Sequence, residues 1–126
     1  MKELFDKVCA DCSRNVTKTY STSFSLATRM LSKNIRQDIY NIYGFVRFAD
    51  EIVDTFHNYD KEILLNRFID ELEYSLKNDI SLNPILNSFQ ITVKKYNIDK
   101  HLIDSFLSSM RLDLEKKEYS NYEDYK

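Results

Sequence analysis

Apolar residues recur at three- and four-residue intervals along most of the chain, the spacing of one face of an α-helix. Leu4, Phe5, Val8, Cys12 and Val16 mark a first helix from Lys2 to about Lys18. Thr19 to Thr22 is a hydroxyl-rich break, and Ser23 to Leu31 reads as a short second helix. Ser32-Lys33-Asn34 breaks the pattern again, with Ser32 or Asn34 available as an N-cap. A long helix is predicted from about Ile35 to Thr55. His57-Asn58-Tyr59 is a loop, and Asp60 caps a helix running through about Lys77. Its expected buried stripe is Ile63, Leu64, Phe68, Leu72 and Leu76. Asn83-Pro84 is a cap followed by proline at the first helical position, which opens a helix to about Tyr96. Asp99 caps another, with Leu102, Ile103, Phe106, Leu107, Met110 and Leu114 at helical spacing. Ser120-Asn121-Tyr122-Glu123 has the capping-box pattern and predicts one more helix, barely begun before Lys126. That last helix leads us to expect an amino-terminal piece of a longer polypeptide.

Composition agrees with an all-α chain. One Gly and one Pro among 126 residues leave little material for the tight turns that sheets need. The length bounds the chain to one domain or part of one. A formal charge of −2 gives no sign of bulk affinity for nucleic acid. No apolar run approaches the ~18 residues of a membrane span. The start of the chain, Met1 to Val8, is charged throughout and lacks a secretory apolar region, so a cytosolic location is expected. Cys9 and Cys12 form a C-x-x-C inside the first helical pattern. Zinc would need two further ligands, and only His57 and His101 are available, so they read as two reduced helix cysteines.

The candidate chemistry lies in Tyr40 to Asp54, Y-N-I-Y-G-F-V-R-F-A-D-E-I-V-D. With Tyr43 set to zero, ~100° per residue puts Arg47 near +40°, Asp50 near −20° and Asp54 near +20°. Two carboxylates one turn apart beside a guanidinium suit a divalent cation and an anion held together, since Mg²⁺ takes one or two carboxylates plus phosphate oxygens. Ile39, Ile42, Val46 and Val53 form an adjoining apolar stripe, so the helix reads as one wall of a cleft. The plainer reading is a solvated face on which Arg47 pairs with Asp50 or Asp54. The apolar neighbours Phe45, Val46, Phe48, Ala49, Ile52 and Val53 count against it.

Three segments in order carry a resemblance. Y-S-T-S-F-S-L-A-T-R-M-L at Tyr20 to Leu31 and R-Q-D-I-Y-N-I-Y-G-F-V-R-F-A-D-E-I-V-D at Arg36 to Asp54 resemble the amino-terminal signature of the squalene/phytoene synthases. F-L-S-S-M-R-L-D-L at Phe106 to Leu114 resembles that family's M-x-x-D-L segment, and Tyr119 to Tyr125 resembles the stretch before its central Tyr. The bacterial phytoene synthase branch fits best.

The resemblance implies an all-α isoprenoid-synthase-type helical bundle, of which this chain is the amino-terminal half, truncated before the second aspartate-rich motif. It implies head-to-head joining of two prenyl diphosphates with Mg²⁺, or Mn²⁺ in its place, through a cyclopropylcarbinyl diphosphate to phytoene, squalene or dehydrosqualene. By position, Asp50 and Asp54 would be the first aspartate-rich motif and the metal ligands. Arg47 would contact diphosphate, Ser23 would lie near phosphate, and Phe24 near the reacting allylic carbon. Tyr43 would line the site as a catalytic residue, and Asp113 and Met110 match the M-x-x-D-L segment, in which the Asp would have a supporting role. Peripheral membrane association of the full-length enzyme is a further implication.

Glu51 stands where the family commonly has a second Asp, and its angle points it away from Asp50 and Asp54, so little effect is expected from it. Gly44 stands where Ala is usual, which suggests a close backbone contact or substrate approach. Without the second aspartate-rich motif the chain alone is expected to be inactive, with an apolar face open to aggregation. Two other classes remain: a non-catalytic helical assembly module, which would have lost the carboxylates retained here, and an unrelated bundle matched by chance.

Overall fold

The computed structural model describes residues 1–124, with side chains through residue 116. Among the described residues there are six helices: α1 (Lys2–Tyr20), α2 (Thr22–Arg29), α3 (Lys33–Asp54), α4 (Lys61–Asn78), α5 (Pro84–Tyr96) and α6 (Lys100–Asp124). The stops and starts follow from short polar side chains. Ser21, Ser32 and Asp60 each accept one first-turn N–H, and Asn83 accepts two, from Ile85 and Leu86. With one glycine in the chain, left-handed C-caps fall to Asp79 (φ 64°) and Asn97 (φ 51°), residue types that tolerate that region. The break expected over Thr19–Thr22 shrinks to Ser21 alone, which closes α1 and caps α2. The helix expected to open at Ser120 is not separate, because α6 runs unbroken through it to Asp124. Lys126 lies outside the described residues.

α3 is the centre of the bundle. Its Phe45, Ala49, Ile52 and Val53 are buried against Leu65, Phe68 and Leu72 of α4, Leu86, Phe89 and Val93 of α5, and Ile103, Leu107 and Leu114 of α6. Phe45 is the hub: its ring stacks on Phe89 at 4.0 Å and Phe68 at 5.6 Å, and tilts against Phe106 at 5.5 Å. Aromatic pairs at these spacings add to what burial alone contributes.

The α1 side is built differently. Its fully buried positions are Cys9, Ser13 and Thr17, small residues that let α1 approach closely. Leu4 and Val8, part of the apolar period, are exposed instead. A Cβ on Gly44 would meet Ser13 Oγ and the Ile85 side chain at 3.5 Å, so this glycine sits in the α1–α3–α5 seam and not at a substrate surface. Polar bonds close the seam. Gln37 Nε2 donates to the Ala10 carbonyl at 3.0 Å, and Asn87 Nδ2 to Asp6 at 2.8 Å. Asp38, buried on α3, accepts from Thr92 Oγ1 (2.8 Å), Lys95 Nζ (2.7 Å) and Tyr96 OH (2.8 Å) on α5. Burial pushes the Asp38 carboxyl up, but the three donors outweigh it and hold it below the ordinary value.

On α4 the buried stripe is Leu65, Phe68, Leu72 and Ser75, and Ile63 is 50% exposed. Ile63 lies five residues from Phe68, about 140° around an ideal helix, too far to share its face. Leu102 on α6 is likewise exposed, while Ile103, Leu107 and Leu114 are buried.

Candidate functional site

The core face of α3 fixes where its other face points. With Phe45, Ala49, Ile52 and Val53 buried, the chain presents Tyr43, Arg47 and Asp50 half-buried and Asp54 exposed. α2 lies beside this face. Its Ser25 and Thr28 are buried, and Thr28 Oγ1 donates back to the Phe24 carbonyl at 2.7 Å. Phe24 is 38% exposed and stacks on Tyr43 with ring centroids 4.9 Å apart and planes 24° apart. The last residue of α1, Tyr20, offers its ring to the Arg47 guanidinium, 5.0 Å from Cζ to centroid. Three helices thus bring Tyr20, Phe24, Tyr43 and Arg47 into one surface.

Ser23 is exposed on α2 and makes no hydrogen bond to Arg47 or Asp50 among the described residues. It is not the helix cap either, since Ser21 accepts the Phe24 N–H at 3.2 Å. Asp113 and Met110 lie on α6, which packs on the core side of α3, and Met110 joins the core cluster.

Among the described residues, Arg47 pairs with Glu51 and not with Asp50. Its Nη2 donates to the Glu51 carboxylate, one turn on, and both side chains are largely shielded. The Glu51 hydrogen bond, with smaller help from the charges of Glu51, Asp50 and Tyr43, raises the guanidinium pKa against the desolvation that lowers it. Arg47 Nε is buried without a partner. Glu51 is therefore not idle, contrary to the expectation from its angle. The ideal angle near +80° already put it about 40° from Arg47, so the signal was present in the i, i+4 spacing.

A second arginine went unremarked as an anchor. Arg36 on the first turn of α3 donates from Nη2 to the carbonyls of Arg29 (2.8 Å) and Leu31 (3.1 Å), holding the end of α2 against α3. A cation beside the last carbonyls of a helix is the usual favourable arrangement.

The donor set fits a hard cation. Asp50 and Asp54 are carboxylates one helical turn apart, and oxygen donors are what Mg²⁺ and Mn²⁺ prefer. Asp50 takes part in no ion pair among the described residues. Those residues contain no group of three or more His, Cys, Asp or Glu side chains able to hold a metal ion, so any metal here draws on two carboxylates and an outside ligand. An open depression of about 640 Å³ lined by Glu73, Tyr74, Lys77 and Lys100 lies elsewhere on the molecule and touches none of these residues.

The family model described as squalene/phytoene synthase matches residues 17–126. The chain belongs to the squalene/phytoene synthase family. The match covers α2, α3 and everything after them. Among curated proteins it is similar to phytoene synthase 1, chloroplastic, of Solanum lycopersicum, 26% identical over 98% of this chain and 29% of that protein. Similar figures hold for phytoene synthase 1, chloroplastic, of Zea mays (27% identical, 98% and 29%) and of Arabidopsis thaliana (27%, 97% and 28%). The chain thus spans under a third of the length of these relatives. Its six helices and their all-α arrangement agree with the family fold. No helix among the described residues is long and apolar enough to cross a membrane.

Proposed function

We propose that this chain carries one of the two aspartate-rich halves of a prenyltransferase site that joins two prenyl diphosphates head to head. The observation that supports it most is the shared face of α3, on which Tyr43, Arg47, Asp50 and Asp54 stand beside the Phe24–Tyr43 stack, within the segment matched to the family. Asp50 and Asp54 hold Mg²⁺, with Mn²⁺ as substitute. When bound, the metal neutralises charge on the diphosphate leaving group. Arg47 binds phosphate oxygens through its planar donor fork, and Ser23 donates its hydroxyl to phosphate. Phe24 and Tyr43 present ring faces, whose quadrupoles attract the allylic cation. The favoured product is phytoene, on the names of the relatives, and the favoured substrate is the geranylgeranyl diphosphate that the family resemblance implies. Farnesyl diphosphate, giving squalene or dehydrosqualene, is the alternative. The reading for location is cytoplasmic, supported by the free thiols of Cys9 and Cys12.

The test is binding of farnesyl thiolodiphosphate, which resists ionisation, followed by ³¹P NMR with and without Mg²⁺. The expected result is Mg²⁺-dependent binding in about the high-micromolar range, weakened at least about tenfold in Asp50→Asn and in Arg47→Ala. Wild-type binding in Asp50→Asn would sink the assignment. The 126 residues contain one D-x-x-x-D, so binding without turnover is expected of them. Steady phytoene formation by purified residues 1–126 would show that they hold more than half a site.

A further inference from the structure

Arg47 stands on α3 with three carboxylates ahead of it, at i+3 (Asp50), i+4 (Glu51) and i+7 (Asp54). The first two lie within side-chain reach on a helix. The guanidinium takes Glu51, while Asp50, one residue earlier, takes part in no ion pair of 4 Å or less among the described residues. The Tyr20 ring holds the guanidinium from its face. Glu51 is the more shielded partner, with its side chain 13% exposed against 27% for Arg47. A guanidinium half out of water does not stay unpaired, because an uncompensated charge there is costly. Without Glu51, Asp50 at i+3, whose charge already acts on Arg47, is a carboxylate within its reach.

We propose that Glu51 is a positioning residue that takes the direct ion pair of Arg47 at Nη2, the pair Asp50 could otherwise make, and so leaves Asp50 available to a divalent cation. The inference rests on the diphosphate reading above, and it assigns a function to the one acidic residue of the D-E-I-V-D motif which that reading leaves unused. The partition also leaves Arg47 Nε, buried and unpartnered, as a donor for an incoming phosphate oxygen. Glu51 itself touches neither metal nor substrate.

The experiment measures the Mg²⁺ concentration that half-saturates farnesyl thiolodiphosphate binding, by ³¹P NMR, in wild type and variants of the 126-residue chain. Glu51→Ala releases Arg47 onto Asp50, so the Mg²⁺ midpoint rises roughly fivefold to tenfold, the scale of coupling between neighbours in one charge network. Glu51→Gln keeps a carbonyl acceptor for Nη2 and stays within about twofold of wild type. Glu51→Asp keeps the charge but withdraws the carboxylate by one methylene, and gives a rise of about threefold. Far-UV circular dichroism checks that each variant folds. An unchanged midpoint in Glu51→Ala, or in Glu51→Asp should the alanine variant not fold, overturns the inference. If Asp50→Asn still loses binding in that case, the diphosphate reading survives alone. If Asp50→Asn binds as wild type does, both fall together.

Discussion

The two faces of α3 solve opposite problems with the same 22 residues. The inner face is finished: Phe45 stacks on Phe89 and Phe68, and Ala49, Ile52 and Val53 are almost wholly removed from water. The outer face is open. Tyr43, Arg47 and Asp50 are half-buried, Asp54 is exposed, and Arg47 Nε has no hydrogen-bond partner among the described residues. The inner face therefore holds the helix in place by burial, and the outer face carries charged groups, with Arg47 paired to Glu51. A residue's effect on stability and its effect on binding should separate cleanly along this line.

The largest expected effect breaks the inner face. Phe45→Ala removes the hub of the aromatic stack and should cost about 3–5 kcal/mol in urea unfolding. A loss under about 1 kcal/mol would mean that the stack contributes little beyond filling space. Next comes Asp38→Asn, which discards the charge that receives Thr92, Lys95 and Tyr96. The expected loss at pH 7 is about 1–3 kcal/mol. Because the folded carboxyl is held below the ordinary value of 3.8, the unfolded chain binds the proton more readily. The Asp38 contribution is then full above that value and is lost as pH falls through the lower folded value. Unfolding curves of wild type and variant should converge in that acid window and remain parallel above it.

A smaller change has the opposite sign. Gly44→Ala places a methyl at 3.5 Å from Ser13 Oγ and the Ile85 side chain, ordinary contact distances. Removing glycine from a helix interior should then stabilise by about 0.5–1 kcal/mol. A destabilised variant would mean that the seam cannot yield to the added group. The smallest effect on stability belongs to the outer face. Asp50→Asn should shift unfolding by less than about 0.5 kcal/mol while removing Mg²⁺-dependent binding. A large loss of stability there would erase the distinction between the two faces.

The sequence revealed the helices well because each begins at a short polar cap and carries an apolar period. Ser32, Asp60 and Asn83 cap where their side chains suggest. What hydropathy missed was burial of small and polar residues. Ser13 and Thr17 carry almost no apolar signal, yet with Cys9 they are the contact face of α1, and the larger apolar Leu4 and Val8 lie outside it. The same blindness hid Asp38, whose three donors come from residues 54 to 58 positions away. At the candidate site, helix angles alone brought Tyr43, Arg47, Asp50 and Asp54 to one face. They did not decide which carboxylate Arg47 takes, because Asp50 and Glu51 both lie in reach and the choice depends on shielding and on Tyr20. The placement of Ser23 was beyond angles altogether, since it lies on a different helix.

The small-residue face of α1 also bears on the order in which the molecule can be built. Its partners are α3 and α5, and Asp6 accepts a hydrogen bond from Asn87, 81 positions later. On a ribosome adding about 5–20 residues per second, that partner follows Asp6 by roughly 4–16 seconds. The bond from Gln37 of α3 to the Ala10 carbonyl, 27 positions apart, can form earlier in that interval. α1 is thus made before both of the helices it packs on, α3 and α5.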